Sequence, residues 1–168
     1  MSEMRILTVR QPWAEAIIFG GKGVENRVRN VAGGYRGPVA IHTAKREATP
    51  AEWREFARAY PEALSRMAET VPWGQDEYGV IIGVVDLVDV HVVQQSHAGT
   101  NVCFDDSTPT GDICSQWAHA YDEFPAYRGH HLVLANPRPL SEPIPFKGAL
   151  GLRRLDEAMV HRIEAAIA

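Results

Sequence analysis

Val80-Ile-Ile-Gly83-Val-Val-Asp86-Leu-Val-Asp89-Val90 is the strongest strand signal in the chain and constrains what the rest can be. β-branched residues dominate it, and they pack well on a pleated surface and poorly in a helix. A run this apolar belongs at the centre of a sheet. Gly83 inside it marks a bulge or a close backbone approach. Its most apolar part, Gly79 to Val85, is soon followed by Asp86 and Asp89. That is far short of the roughly 20 apolar residues a membrane-spanning helix needs, so no membrane role is expected.

Upstream, Thr49-Pro50-Ala51-Glu52 has the spacing of a capping box with proline at the first helical position, predicting a helix to about Tyr60. Pro61 restarts a second turn or helix to Glu69. Pro38–His42 and Val24–Arg29 read as strands separated by the Gly33-Gly34 turn. Arg5–Val9 is a further strand, and Gln11-Pro12-Trp13 opens a helix that Gly20-Gly21 ends, with Trp13, Ala16 and Ile17 as its buried stripe. Downstream, residues 91 to 128 lose periodicity, as a long excursion with a short helix over Ser115–Tyr121 would. Leu132–Ala135, Leu140–Ile144 and Ala149–Leu155 are short strands with proline-rich joints. Asp156 then caps an amphipathic closing helix with Met159, Val160, Ile163 and Ile167 inward.

Short strands with inserted helices and no β-α-β-α rhythm predict an α+β fold, a mixed β-barrel with peripheral helices. With 168 residues and 45% hydrophobic composition, one domain over 1–168 is expected, its core spanning about 5–155, with the excursion at 91–128 and the closing helix at 156–168.

The formal net charge is −4, but it is unevenly spread. From Arg5 to Arg46 there are eight Lys or Arg against Glu15 and Glu25, a local +6, leaving −10 for the remainder. A concentrated basic stretch suits a polyanion even in an acidic chain. Two cysteines, Cys103 and Cys114, cannot build a disulfide frame, and no charged-then-apolar leader precedes Arg5, so a reducing cytoplasmic setting is expected. There is no phosphate-binding Gly-x-x-x-x-Gly-Lys-Ser/Thr loop, Gly-x-Ser-x-Gly elbow or dinucleotide fingerprint.

Leu7-Thr-Val-Arg10-Gln11-Pro12-Trp13, then Gly21-Lys22-Gly-Val-Glu25-Asn-Arg27, then Tyr35-Arg36-Gly37-Pro38 and Ile41-His42-Thr-Ala-Lys45 form an ordered set that resembles the ASCH (ASC-1 homology) family. Leu132-Val-Leu-Ala-Asn136-Pro137-Arg138-Pro139-Leu140 and Pro145-Phe-Lys147-Gly148-Ala-Leu-Gly151-Leu152 look like that family's closing strands, so the resemblance covers roughly residues 5 to 155. It implies a PUA-like barrel with a cleft lined by the Gly-x-Lys-x-x-Glu-x-Arg segment. Members of the family include RNA or DNA binders and a few hydrolases and nucleases.

The chemistry fits such a cleft. Arginine offers a planar fork for phosphate or a base edge, lysine a compact cation, and glutamate an acceptor for an exocyclic amine. Lys22, Arg27, Arg36 and Lys45 are expected to meet phosphate, and Glu25 with Gln11 to read a base edge. Arg10 and Gln11 sit at a helix N-terminus suited to an anion, with helix capping as the bland alternative. Tyr35 and Trp13 flank the basic segment with faces on which a base can stack, for about 1–3 kcal/mol per base. Trp13 falls on the predicted buried stripe, so core packing is favoured for it. The expected partner is RNA, DNA or a modified nucleoside.

The competing reading is a hydrolase, ribonuclease-like or amidohydrolase-like, using Lys22 and Glu25 for proton transfer, with His42 a lesser candidate. Small ASCH-type amidohydrolases that remove the acetyl group from acetylated cytidine carry Lys-x-x-Thr where this chain has Lys22-x-x-Glu25, so the hydroxyl nucleophile is missing from the matching position. A third reading is a protein-interaction module using the acidic remainder. His91, His97, Cys103, Cys114 and His119 offer metal-ligand chemistry, but no Cys-x-x-Cys or His-x-x-x-His pair occurs. No metal and no cofactor are therefore expected. Cys114-Ser-Gln-Trp117-Ala and His131 read as packing of the excursion against the barrel.

Overall fold

The computed structural model describes residues 3–72, 77–95, 101–105, 108–109, 113–118 and 128–167. Eight strands and four helices occur among them. In chain order they are β1 (Arg5–Val9), α1 (Trp13–Ile18), β2 (Val24–Arg27), β3 (Gly37–Thr43), α2 (Pro50–Ala59), α3 (Pro61–Thr70), β4 (Val80–Gln95), β5 (Asn101–Asp105), β6 (Thr108–Pro109), β7 (Arg128–Pro145), β8 (Leu152–Arg154) and α4 (Glu157–Ala166). None of the described helices is long and apolar enough to cross a membrane.

Local chemistry places the helices where the sequence predicts. Thr49 Oγ1 accepts from the Glu52 N–H while the Glu52 carboxylate accepts from the Thr49 N–H, closing the capping box of α2. Arg46 holds the Glu52 carboxyl down at about 2, with Thr49 adding to the shift. Asp156 accepts from the Met159 N–H and starts α4, whose Val160 and Ile163 are buried.

The chain falls into two compact units, the first made of residues 1–22, 37–86 and 136–168, the second of 23–36 and 87–135. In the first, β1 pairs parallel with β3, from Arg5↔Val39 to Val9↔Thr43, and antiparallel with β8. Ile6, Ala40, Ile81, Val84, Leu140 and Ile144 pack with Val160 and Ile163 of α4. In the second unit β2 pairs antiparallel with β7, from Val24↔Val133 to Arg27↔His130, and β5 pairs with β4 around Val93↔Cys103.

The order of hydrogen-bonded neighbours is β2-β7-β4-β3-β1-β8, with β5 added to β4 and β6 to β5. β4 is thus interior, as its composition predicts. The expected closed barrel is corrected: closure needs the end strands to pair, and here the path ends on the four residues of β2 and the three of β8. The fold is mixed α+β with an open sheet. Two further expectations change. β4 continues five residues beyond Val90, and the strands expected at Leu132–Ala135 and Leu140–Ile144 are one strand, β7. Within the excursion β5 and β6 are strands, and Ser115–Ala118 forms a turn closed by Ala118 N–H to Ser115 O at 3.0 Å. Residues 119–121 of the helix expected there lie outside the described set.

Candidate functional site

In the first unit the stop of α1 positions Lys22. The N–H groups of Gly20 and Lys22 both converge on Ala16 O, at 3.0 and 2.9 Å, and Gly21 between them takes φ +79°, a left-handed turn that glycine adopts without steric cost. Lys22 is 3% exposed. Its Nζ lies 5.9 Å from the centroid of the Trp13 ring, within cation–π range. Trp13 in turn stands edge-on to Phe56 at 5.2 Å and to Tyr60 at 5.7 Å. The ring therefore serves the core and the lysine together.

Gln11 is buried and used internally. Its Nε2 donates to Glu15 Oε1 at 2.7 Å and to Glu77 O at 3.3 Å, and its Oε1 accepts from the Glu15 N–H at 3.2 Å. Helix capping, one of its two sequence readings, is what these bonds do. Glu15, 1% exposed, is a buried carboxylate that the sequence reading passed over. Its signal was the Gln-x-x-x-Glu spacing, which sets the Gln11 side chain over the first turn of α1. Arg10 and Lys45 are exposed.

His42 lies near the end of β3, fully buried, with Nε2 3.0 Å from Phe146 O and Nδ1 3.2 Å from Thr8 Oγ1. Burial pushes it below its ordinary value, and the Lys45 charge adds to this against the raising effect of the carbonyls of Phe146 and Gly79. With its proton on Nε2 the neutral ring donates to the Phe146 carbonyl. A base with a depressed folded pKa stabilises the fold at full strength above its unfolded value of about 6.5. That stability is lost as pH falls toward and through the folded value, because the unfolded chain takes up the proton first. Denaturant unfolding of the protein is expected to weaken below about pH 6.5, and His42→Gln to flatten that part of the profile. Parallel profiles would assign the acid sensitivity elsewhere.

In the second unit, Glu25 and Arg27 alternate onto one face of β2 and form an ion pair, Oε1 to NH2 3.2 Å. Glu25 is 8% exposed. Tyr35 is half-buried, and exposed Arg36 reaches Asp89 Oδ1 at 3.2 Å. The second oxygen of Asp89 meets His91 Nε2 at 3.1 Å. Burial would raise the Asp89 carboxyl, but the Val90 N–H, Arg36 and His91 outweigh it and leave it below its ordinary value. The structure thus sorts the predicted residues, with Arg10, Gln11, Lys22, His42 and Lys45 in one unit and Glu25, Arg27, Tyr35 and Arg36 in the other.

The second unit also gathers Cys103, Cys114 and His131, whose ligand atoms lie within 4.8 Å of one another. Spacings of this kind carry no local motif, which is why the sequence reading set a metal aside.

The model of the ASCH domain family matches residues 7–144. A crystal structure of ASCH from Zymomonas mobilis is 13% identical with a TM-score of 0.53, covering 98% of this chain and 96% of that one. A tyrosine-to-phenylalanine variant of the same protein is 14% identical with a TM-score of 0.56, covering 99% and 100%. A serine-to-alanine variant gives 13% and 0.52, covering 98% and 96%. At this identity the likeness concerns the fold.

Proposed function

We propose that this chain, which belongs to the ASCH domain family, binds RNA or a modified nucleobase, with Lys22 as its deepest contact. That family is generally linked to RNA binding. The observation that carries the reading is the burial of Lys22 against Trp13, with Gln11 and Glu15 also under cover in the same unit. A few polar groups set among aromatic side chains are how small-ligand sites are built, and this supports a ligand-binding role for the first unit. A cation beside an aromatic ring suits a base better than a bare phosphate. In the same unit as Lys22, exposed Arg10 and Lys45 are candidates for phosphate, while Gln11 acts by holding α1 and Glu15 in place.

Fluorescence anisotropy of an end-labelled single-stranded RNA, titrated at several salt concentrations, tests this. Lys22→Met is expected to weaken binding by about ten- to hundredfold, the loss of one charge-assisted hydrogen bond. It should leave the salt dependence nearly unchanged. Lys45→Ala or Arg10→Ala should instead lower the salt slope by about 0.7 for each phosphate no longer neutralised. Wild-type protein that gives no salt-sensitive rise with RNA, and no heat with free or acetylated cytidine, would sink the proposal. A decay of the anisotropy below its starting value would report cleavage and favour the hydrolase reading.

A further inference from the structure

We propose that Cys103, Cys114 and His131 form a zinc site, built from residues other than those assigned to nucleic-acid binding. Cys103 lies on β5 and His131 on β7, and both are fully buried. The turn at 113–118 brings the more exposed Cys114 over them. His131 Nδ1 stands 3.3 Å from Cys103 Sγ and 3.2 Å from Cys114 Sγ. Sulfur about 2.3 Å and nitrogen about 2.0 Å from a tetrahedral zinc stand about 3.5 Å apart, so each nitrogen–sulfur distance need widen by only a few tenths of an ångström, and all three ligand atoms already lie within 4.8 Å of one another.

Two sulfurs converge on the same imidazole nitrogen. A neutral imidazole offers a single lone pair at Nδ1, and two weakly donating thiols face it at once. A cation is shared by all three donors without that competition. Two thiolates and an imidazole are a soft set that selects zinc over magnesium or calcium.

The surroundings match a metal clip. The Cys114 N–H donates to Cys103 Sγ at 3.2 Å, the kind of outer contact that steadies a ligating thiolate. Asn26 Nδ2 donates to Trp117 O at 2.8 Å and ties the turn to β2. Asn26 is also the register partner of His131. Since Glu25 and Arg27 alternate with Asn26, they point to the opposite face of the sheet. A metal held by these three residues would pin the 113–118 turn across β5 and β7. Binding releases both thiol protons to solvent, with no change in oxidation state.

The test is metal content of untagged protein purified without chelator from zinc-containing medium, by elemental analysis and native mass spectrometry. One zinc per chain is expected. Replacement by cobalt(II) should give a thiolate-to-cobalt charge-transfer band, and Cys114→Ser, at the most exposed of the three, should lower zinc content at least tenfold while the far-ultraviolet spectrum is kept. Chelator treatment of the unaltered protein gives a second reading that depends on no variant: melting temperature should fall and recover on adding zinc. Less than a tenth of a zinc per chain after zinc addition, with no cobalt band, would overturn the proposal. A native mass two hydrogens light without metal would overturn it too, making the pair a disulfide.

Discussion

Phe56→Ala is expected to destabilise the first unit by about 3–5 kcal/mol, the usual loss when a fully buried phenylalanine leaves a cavity. Phe56 is 1% exposed on α2, and its ring meets three others: Trp13 at 5.2 Å, Tyr60 at 5.6 Å and Trp53 at 6.2 Å. Edge-to-face pairs add about 0.5–1.5 kcal/mol beyond area burial, so truncation removes more than apolar surface. Denaturant unfolding followed by tryptophan fluorescence should show the midpoint drop and the native emission shift toward that of a wetter indole. Because the same Trp13 ring lies beside Lys22, a milder Phe56→Leu should keep the fold and still weaken ligand binding through a loosened indole. An unchanged midpoint in Phe56→Ala would mean that α2 does not seal this core.

What the sequence shows well is what short-range chemistry decides. The capping box at Thr49 and Glu52, the Asp156 cap and the glycines after α1 each act within a few residues, and each element starts or stops where they say. The apolar run of β4 likewise marks an interior strand. The barrel failed because closure depends on pairing between strands distant in sequence, which periodicity does not encode. The joint in β7 failed for a related reason. Pro137 and Pro139 looked like strand breakers, but β2 pairs with β7 only at His130–Val133. Pro137 and Pro139 lie beyond that stretch, where β2 offers no ladder bond for a proline to break.

The candidate site divides the same way. Lys22, Glu25 and Arg27 were legible as chemistry because the helix stop and β2 place them by local rules. Glu15 was passed over although its partner Gln11 lies only four residues away, while the Glu77 carbonyl that also holds Gln11 comes from far along the chain. Cys103, Cys114 and His131 are 11 and 17 residues apart in succession, at no motif spacing, and only the pairing of β5 with β4 and the laying down of the 113–118 turn bring them together.

Gly83→Ala is the sharpest test of the central strand, because the sequence reading and the geometry both name the position. A methyl group there would stand 2.7 Å from Ile18 Cδ1 and 2.8 Å from Arg138 O. The first neighbour is a side-chain end that can swing aside. The second is a backbone carbonyl on β7, held nearby by the Arg138 guanidinium on Asp86, at 2.6 and 3.1 Å, and it cannot retreat without disturbing the strand. Overpacking of this kind destabilises by about 1–3 kcal/mol, and Gly83→Val should exceed that range. In a chain of this size each kcal/mol moves the melting temperature by about 2–4 °C. Gly34→Ala is the control, since an added methyl there meets nothing within 4 Å, and it should stay within about 0.5 kcal/mol of the parent protein. If Gly83→Ala melted with the parent, as Gly34→Ala should, the close approach of β4 to β7 would be wrong. The open sheet would then be without the close packing that explains why a glycine interrupts its most apolar strand.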